Sequence, residues 1–233
     1  MQVVTSAEVI SIKEYSEDLR EYIIKPEKYR RFDAGTFLQL ALENVSASDY
    51  WPESRTFSMA SAYNTKHKTI KLIIRKMGKF TSDIFEKLQV GSSCTIKYAF
   101  GDMLLPQFDN NSEVVCIAAG SGIAPFLSFV EELESENQLN RLKLLYTVRK
   151  EEDFISYDYL INNINKNNLE LFSTDVESSK ARFRLMNIND ILDITKDKET
   201  AHFYICGAPE FIKFFRDELQ KHNITNIHLD EWE

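Results

Sequence analysis

From residue 113 onward the chain alternates strictly between short apolar runs and longer amphipathic ones. Residues 113–118, 142–148, 169–174, 202–206 and 227–229 have the aliphatic and aromatic composition of strands, whereas 124–134, 157–165, 189–194 and 209–221 have helical spacing. Phe126, Leu127 and Val130, for instance, fall on one helix face. A strand that is apolar on both faces needs cover on both, and a helix between successive strands supplies it. This half therefore predicts a doubly wound α/β domain around a parallel sheet, with ligands expected outside the carboxyl ends of the strands.

The first hundred residues have another rhythm. Residues 3–12, 19–24, 37–42, 55–60, 69–76 and 93–100 are β-rich runs separated by turn formers, and Thr69-Ile-Lys-Leu-Ile-Ile-Arg75 alternates in polarity. Six such runs predict a six-stranded antiparallel β-barrel. One helix interrupts them, with Thr81 or Ser82 expected as N-cap, residues 83–88 as body and Gly91 as terminator. A linker at 106–112 separates the halves, so the expected domains are 1–106 and 112–233. Each is long enough for its own core.

Composition narrows the chemistry. The three cysteines (Cys94, Cys116, Cys206) are far apart, with no Cys-x-x-Cys, and the four histidines show no metal-ligand spacing; no bound metal or disulfide is expected. No apolar run approaches the ~20 residues of a membrane helix, so no membrane insertion is expected. The N-terminus lacks the basic-then-apolar order of a signal peptide, and a reducing cytoplasm is the expected location. Net charge is −8, divided as +1 over residues 1–110 and −9 over 111–233. Lys66, Lys68, Lys71, Arg75, Lys76 and Lys79 form a basic cluster suited to an acidic partner, and nothing has the look of a nucleic-acid-binding arm.

Three motifs carry chemistry. Ala119-Gly-Ser-Gly-Ile-Ala-Pro125 joins an apolar strand to an amphipathic helix. Glycine lets backbone approach a pyrophosphate closely, the helix N-terminus attracts the anion, and Pro125 suits a first turn. Cys206-Gly207-Ala208-Pro209 makes a similar strand-to-helix passage. Arg55-Thr56-Phe57-Ser58 lies on an early strand, where alternation puts Arg55 and Phe57 on one face and Ser58 on the other. A guanidinium suits a pyrophosphate, and a ring suits a planar ring system.

In this order the motifs resemble those of the ferredoxin–NADP reductase family, whose members hold flavin and nicotinamide on separate domains. The resemblance runs over nearly the whole chain. It implies FAD on the barrel, held by Arg55, Thr56, Phe57 and Ser58, with arginine on the pyrophosphate, the ring against the flavin and serine near N5. Phe57 stands where tyrosine is commoner. A second flavin segment leads from Lys71 and Ile73 through Gly78 to Thr81 and Ser82 at a helix N-terminus. The resemblance further implies NADPH or NADH on the α/β domain. Gly120, Gly122, Ile123 and Pro125 would form its first turn. Thr147, Arg149, Ser173, Thr174, Lys180 and Arg182 would follow, and Cys206 and Gly207 would lie beside the nicotinamide. Ser58 and Cys206 would border the hydride path, Trp232 would cover the flavin face, and Asp230 or Glu231 would relay a proton.

The choice of nucleotide stays open at this level. Ser173 and Thr174 suit a 2′-phosphate, with Lys180, Arg182 and Arg184 downstream, whereas Asp175 opposes it. The implied activity is transfer of hydride from NAD(P)H to flavin and of single electrons to a separate ferredoxin or flavodoxin serving an oxygenase, with the protein a monomer and the carrier docking near Lys66–Lys79. Two alternatives remain: an NAD(P)H:flavin reductase that releases reduced flavin, and an electron-transfer or regulatory flavoprotein subunit of a larger complex.

Overall fold

The computed structural model describes residues 2–45, 50–107, 109 and 111–230. The chain forms two compact units, Met1–Leu104 with Leu127–Glu132, and Leu105–Phe126 with Leu133–Glu233.

The first unit contains β1 (Val3–Ser16), β2 (Leu19–Pro26), β3 (Phe37–Ala41), β4 (Ser54–Ser58), β5 (Ile70–Arg75), α1 (Lys79–Lys87) and β6 (Ser93–Phe100). The strands pair in the order β4-β3-β6-β1-β2-β5, antiparallel throughout. A bridge between Met59 and Leu72, with the Ala60 N–H donating to the Lys71 carbonyl at 2.8 Å, brings the two edges together into a nearly closed barrel. Val9, Ile24, Leu38, Leu40, Leu72 and Ile96 fill it. Helix α1 adds Phe80, Ile84 and Phe85, each contributing about 1.5–3 kcal/mol by burial. β1 runs four residues beyond its expected end at 12, because register irregularities at Val9/Ser11 and Glu14/Ser16 interrupt the alternation by which a strand is recognised.

The start of α1 corrects one expectation. Neither Thr81 nor Ser82 is the N-cap; the helix begins at Lys79 with Gly78 in that place. Thr81 instead sits in the third helical position, where its Oγ1 accepts from the Met77 and Gly78 N–H groups at 2.8 and 3.1 Å. It ties down the entry from inside the first turn.

The second unit contains β7 (Val114–Ala119), β8 (Leu142–Val148), α3 (Tyr157–Asn163), β9 (Leu169–Ser173), β10 (Arg182–Phe183), α4 (Ile188–Ile194), β11 (His202–Cys206), α5 (Pro209–Lys221) and β12 (Ile227–Asp230). Helix α2 (Ala124–Ser135) follows β7, and its middle turns count with the barrel unit. The sheet is wholly parallel in the order β10-β9-β8-β7-β11-β12. The chain thus steps outward from β7 to β10 and returns to β11 on the other side of β7. That reversal opens a crevice at the carboxyl end of β7, where the glycine-rich turn lies. Val115, Ile117, Leu145, Phe203 and Ile205 face α4 and α5 residues such as Ile191, Ile212 and Phe215. β10 has no counterpart in the sequence reading, since two exposed edge residues leave no apolar run. Among the described residues no helix is long and apolar enough to cross a membrane.

Candidate nucleotide and flavin sites

Two glycines at the end of β7 answer different demands. Gly120 has φ +54° and no atom within 4 Å of where a Cβ would stand, so its backbone is both left-handed and open to a ligand. At Gly122 a Cβ would lie 2.4 Å from the Cys206 carbonyl oxygen and 2.7 Å from the Gly207 nitrogen. The first glycine permits the turn, and the second lets it pack on the end of β11. Two motifs far apart in sequence are thereby pressed backbone to backbone. Tyr146 of β8 braces the same turn, its hydroxyl donating to the Gly120 carbonyl at 3.1 Å. Ile123 is buried and Pro125 falls in the first turn of α2.

Cys206 is 5 % exposed and donates its thiol proton to Asp230 Oδ2 at 3.4 Å. Burial first, and then the Asp230 carboxylate, hold this thiol well above its ordinary pKa, so it is a neutral donor at neutral pH. β11–β12 pairing sets the contact, because Cys206 and Asp230 are register partners. Glu231 and Trp232, expected to act here, lie outside the described residues.

Beyond β8 and β9 the candidate nucleotide residues divide. Thr147 is half-buried, and Arg149 is exposed with no side-chain partner among the described residues. Ser173 is fully buried with its hydroxyl unpartnered, so in this arrangement it faces the interior. Thr174 donates to Asp175 Oδ1 at 2.9 Å. Lys180 pairs with Glu151 at 2.9 Å, Arg182 with Glu170 at 2.9 Å, and Arg184 with Asp190 Oδ2 at 2.8 Å.

On the barrel, β3–β4 register sets Arg55 opposite Leu40, Phe57 opposite Leu38 and Ser58 opposite Phe37. Arg55 and Phe57 therefore share one face of β4, and Ser58, largely buried, takes the other. The Arg55 guanidinium lies 5.1 Å over the Phe80 ring in the first turn of α1. Its one ion-pair partner among the described residues, Glu53 at 3.1 Å, is exposed. The first-turn N–H groups of α1 have no intrahelical acceptor, and a Cβ at Gly78 would meet nothing within 4 Å. A guanidinium beside an open helix N-terminus is a place for an anion. Thr56 is half-buried beside Arg55, and Ser82 is exposed in the same turn of α1. Lys71 and Ile73 lie elsewhere in effect: Ile73 is buried, and Lys71 pairs with Glu131 at 3.0 Å.

A basic basin escaped the sequence reading apart from Lys68. A cavity of about 670 Å³ is lined by Lys25, Lys28, Arg30 and Lys68 around Tyr29 and Tyr63, whose rings stack at 5.0 Å. None of these four cations has an ion-pair partner among the described residues, in contrast to Lys71 and to Arg75, which holds Asp18 at 2.6 Å. The residues come from the end of β2 with the loop after it and from the loop before β5, which converge only in the fold, so local spacing marked Lys68 alone.

The sequence pattern of the oxidoreductase NAD-binding domain matches residues 116–217. The chain is 26% identical to a flavodoxin/ferredoxin–NADP reductase from Buchnera aphidicola (strain Sg), over 96% of this chain and 93% of that protein. It is 23% identical to the 2-halobenzoate 1,2-dioxygenase electron transfer component of Burkholderia cepacia, over 90% of this chain and 61% of that one. A solved ferredoxin NADP+ reductase from Neisseria gonorrhoeae, with bound FAD and NADP, superposes with a TM-score of 0.78 at 22% identity, covering 97% of this chain and 98% of that chain.

Proposed function

We propose that this chain is a member of the ferredoxin–NADP reductase family, an FAD-dependent NAD(P)H oxidoreductase that passes electrons to a ferredoxin or flavodoxin. The observation that carries this reading is the extent of the likeness to the Buchnera reductase, which runs through both domains of the fold. The second named relative, an oxygenase electron transfer component, supports a ferredoxin serving an oxygenase as the carrier.

The barrel residues fit FAD. Arg55 beside the open first turn of α1 is suited to its pyrophosphate, with Gly78 leaving the approach clear and Thr81 fixing the turn. Phe57 offers a ring on the Arg55 face of β4, and Ser58 is the hydroxyl assigned to N5. When bound, FAD supplies the ring system that accepts hydride and releases electrons singly. Gly120, Gly122 and the α2 N-terminus would hold the pyrophosphate of NAD(P)H, and the neutral Cys206 thiol would keep the nicotinamide neighbourhood free of a thiolate charge. Orientation of bound groups is what these residues contribute. The same reading has the protein act as a monomer in the cytoplasm, where its three buried, unpaired cysteines stay reduced.

The carrier docks on the unpaired cations. Lys71 and Arg75, though inside the basic cluster of the sequence, are already neutralised by Glu131 and Asp18. Lys25, Lys28, Arg30 and Lys68 around the basin are not, and they take their place with exposed Lys66. The FAD-loaded protein is expected to reduce ferredoxin with NAD(P)H. Replacing Lys28, Arg30 and Lys68 together by glutamate is expected to raise KM for ferredoxin by about tenfold at low salt while leaving ferricyanide reduction unchanged. No ferredoxin reduction beside brisk ferricyanide reduction would remove the carrier from the reading; an unaltered KM would remove only the docking surface.

A further inference from the structure

We infer that this chain selects NADH over NADPH, a conclusion that rests on the reductase reading and deepens it. The two nucleotides differ by a single 2′-phosphate. In an open parallel sheet whose glycine-rich turn follows the central strand, the adenosine ribose reaches past the ends of the neighbouring strands. There an acidic side chain accepts from the bare diol, or hydroxyls and cations grip the phosphate. In this chain that place is the segment following β9, together with the end of β8.

The stretch is rich in cations by sequence, but the structure leaves almost none available. Lys180 pairs with Glu151 at 2.9 Å and rests 4.8 Å over the Tyr157 ring. Arg182 pairs with Glu170 at 2.9 Å and approaches Asp190 at 3.8 Å. Arg184 engages both oxygens of Asp190, a carboxylate itself anchored by the Asn187 N–H at 2.8 Å at the start of α4. To serve a phosphate, each cation would exchange one anion for another at the protein surface, which gains little. The hydroxyls are no better placed: that of Ser173 is unpartnered but fully buried, and that of Thr174 already donates to Asp175.

The charges that stay outside ion pairs just after β9 are acidic. Asp175 and Glu177 are both exposed, and neither takes part in an ion pair among the described residues. A carboxylate accepts two hydrogen bonds from a cis-diol and repels a phosphate dianion. Arg149, exposed at the end of β8 with its carbonyl accepting from the Asp175 N–H at 2.9 Å, is the unpaired cation of this region among the described residues, and the inference assigns it to the pyrophosphate that both nucleotides share. The preference departs from the NADP named for the Buchnera relative.

The test is calorimetric titration of the purified protein with NAD+ and NADP+, and with the fragments 5′-AMP and 2′,5′-ADP, which isolate the 2′-phosphate and need no flavin turnover. NAD+ and AMP are expected to bind about tenfold or more tightly than their phosphorylated counterparts. Equal or reversed affinities would overturn the inference. The double variant Asp175→Ser with Glu151→Gln removes one exposed acid and frees Lys180, and it should narrow the NAD+/NADP+ ratio by about tenfold. A ratio that does not move would also overturn it. Tight NAD+ binding without bleaching of bound flavin would instead sink the reductase reading and leave the preference standing.

Discussion

Gly120 and Gly122 lie two positions apart and differ in what an alanine would do. At Gly120 the space is open and the penalty is conformational, about 1–2 kcal/mol for a left-handed residue. At Gly122 the added methyl would run into the Cys206–Gly207 backbone, which cannot swing away as a side chain can. Gly122→Ala is therefore expected to destabilise the protein by about 3 kcal/mol or to prevent folding, and Gly120→Ala to cost only the conformational penalty of about 1–2 kcal/mol. Urea denaturation of both variants checks the order, and equal losses would contradict the packing argument. Residue identity was legible here, because a glycine-rich strand-to-helix turn declares its chemistry locally. What the second glycine packs against was not legible, since Cys206 is more than eighty residues away.

At the scale of elements, periodicity found the five principal parallel strands and all six barrel strands, because their patterns are long enough to register. It missed β10, and it moved the start of α1, where a threonine inside the first turn imitates a cap. The segment leading into β7 is pinned by a cluster that spacing could not reveal. Asp109 accepts from the Ser112 and Asn111 N–H groups, and its Oδ2 lies 3.6 Å from His202 Nε2, while His202 Nδ1 lies 3.3 Å from His228 Nε2. Hydrogen bonds from Ser112, by side chain and backbone, then from the Asn111 backbone, with a smaller contribution from His202, hold the Asp109 carboxyl well below the usual range. A carboxyl lowered on folding stabilises the native state above its unfolded pKa of about 4, and that contribution fades as the pH falls through the lowered folded value. Asp109→Ala should accordingly lower Tm at neutral pH, with the gap from wild type closing as the pH drops below about 4. A gap that stays constant through that range would show that the carboxylate's charge is not what stabilises the segment.

The whole molecule divides its charge, with a nearly neutral first half and a strongly acidic second half. The sequence places cations in both halves but cannot say which are free, because the neutralising partners come from distant elements: Lys71 with Glu131, Arg75 with Asp18, Arg182 with Glu170. On that pairing rest the proposed docking surface at the basin around Tyr29 and Tyr63 and the inferred preference of the segment after β9 for a diol over a phosphate. Fold and cofactor classes were therefore legible from motif order, whereas the proposals for partner surface and nucleotide choice draw on pairings that only the fold shows. The most direct test of the central claim is the visible absorption spectrum of the purified, desalted protein, recorded anaerobically before and after addition of NADH. The predicted result is a flavin spectrum that survives desalting and bleaches with NADH. A colourless protein that oxidises NADH only when free flavin is supplied would contradict it, and would point to a flavin reductase instead.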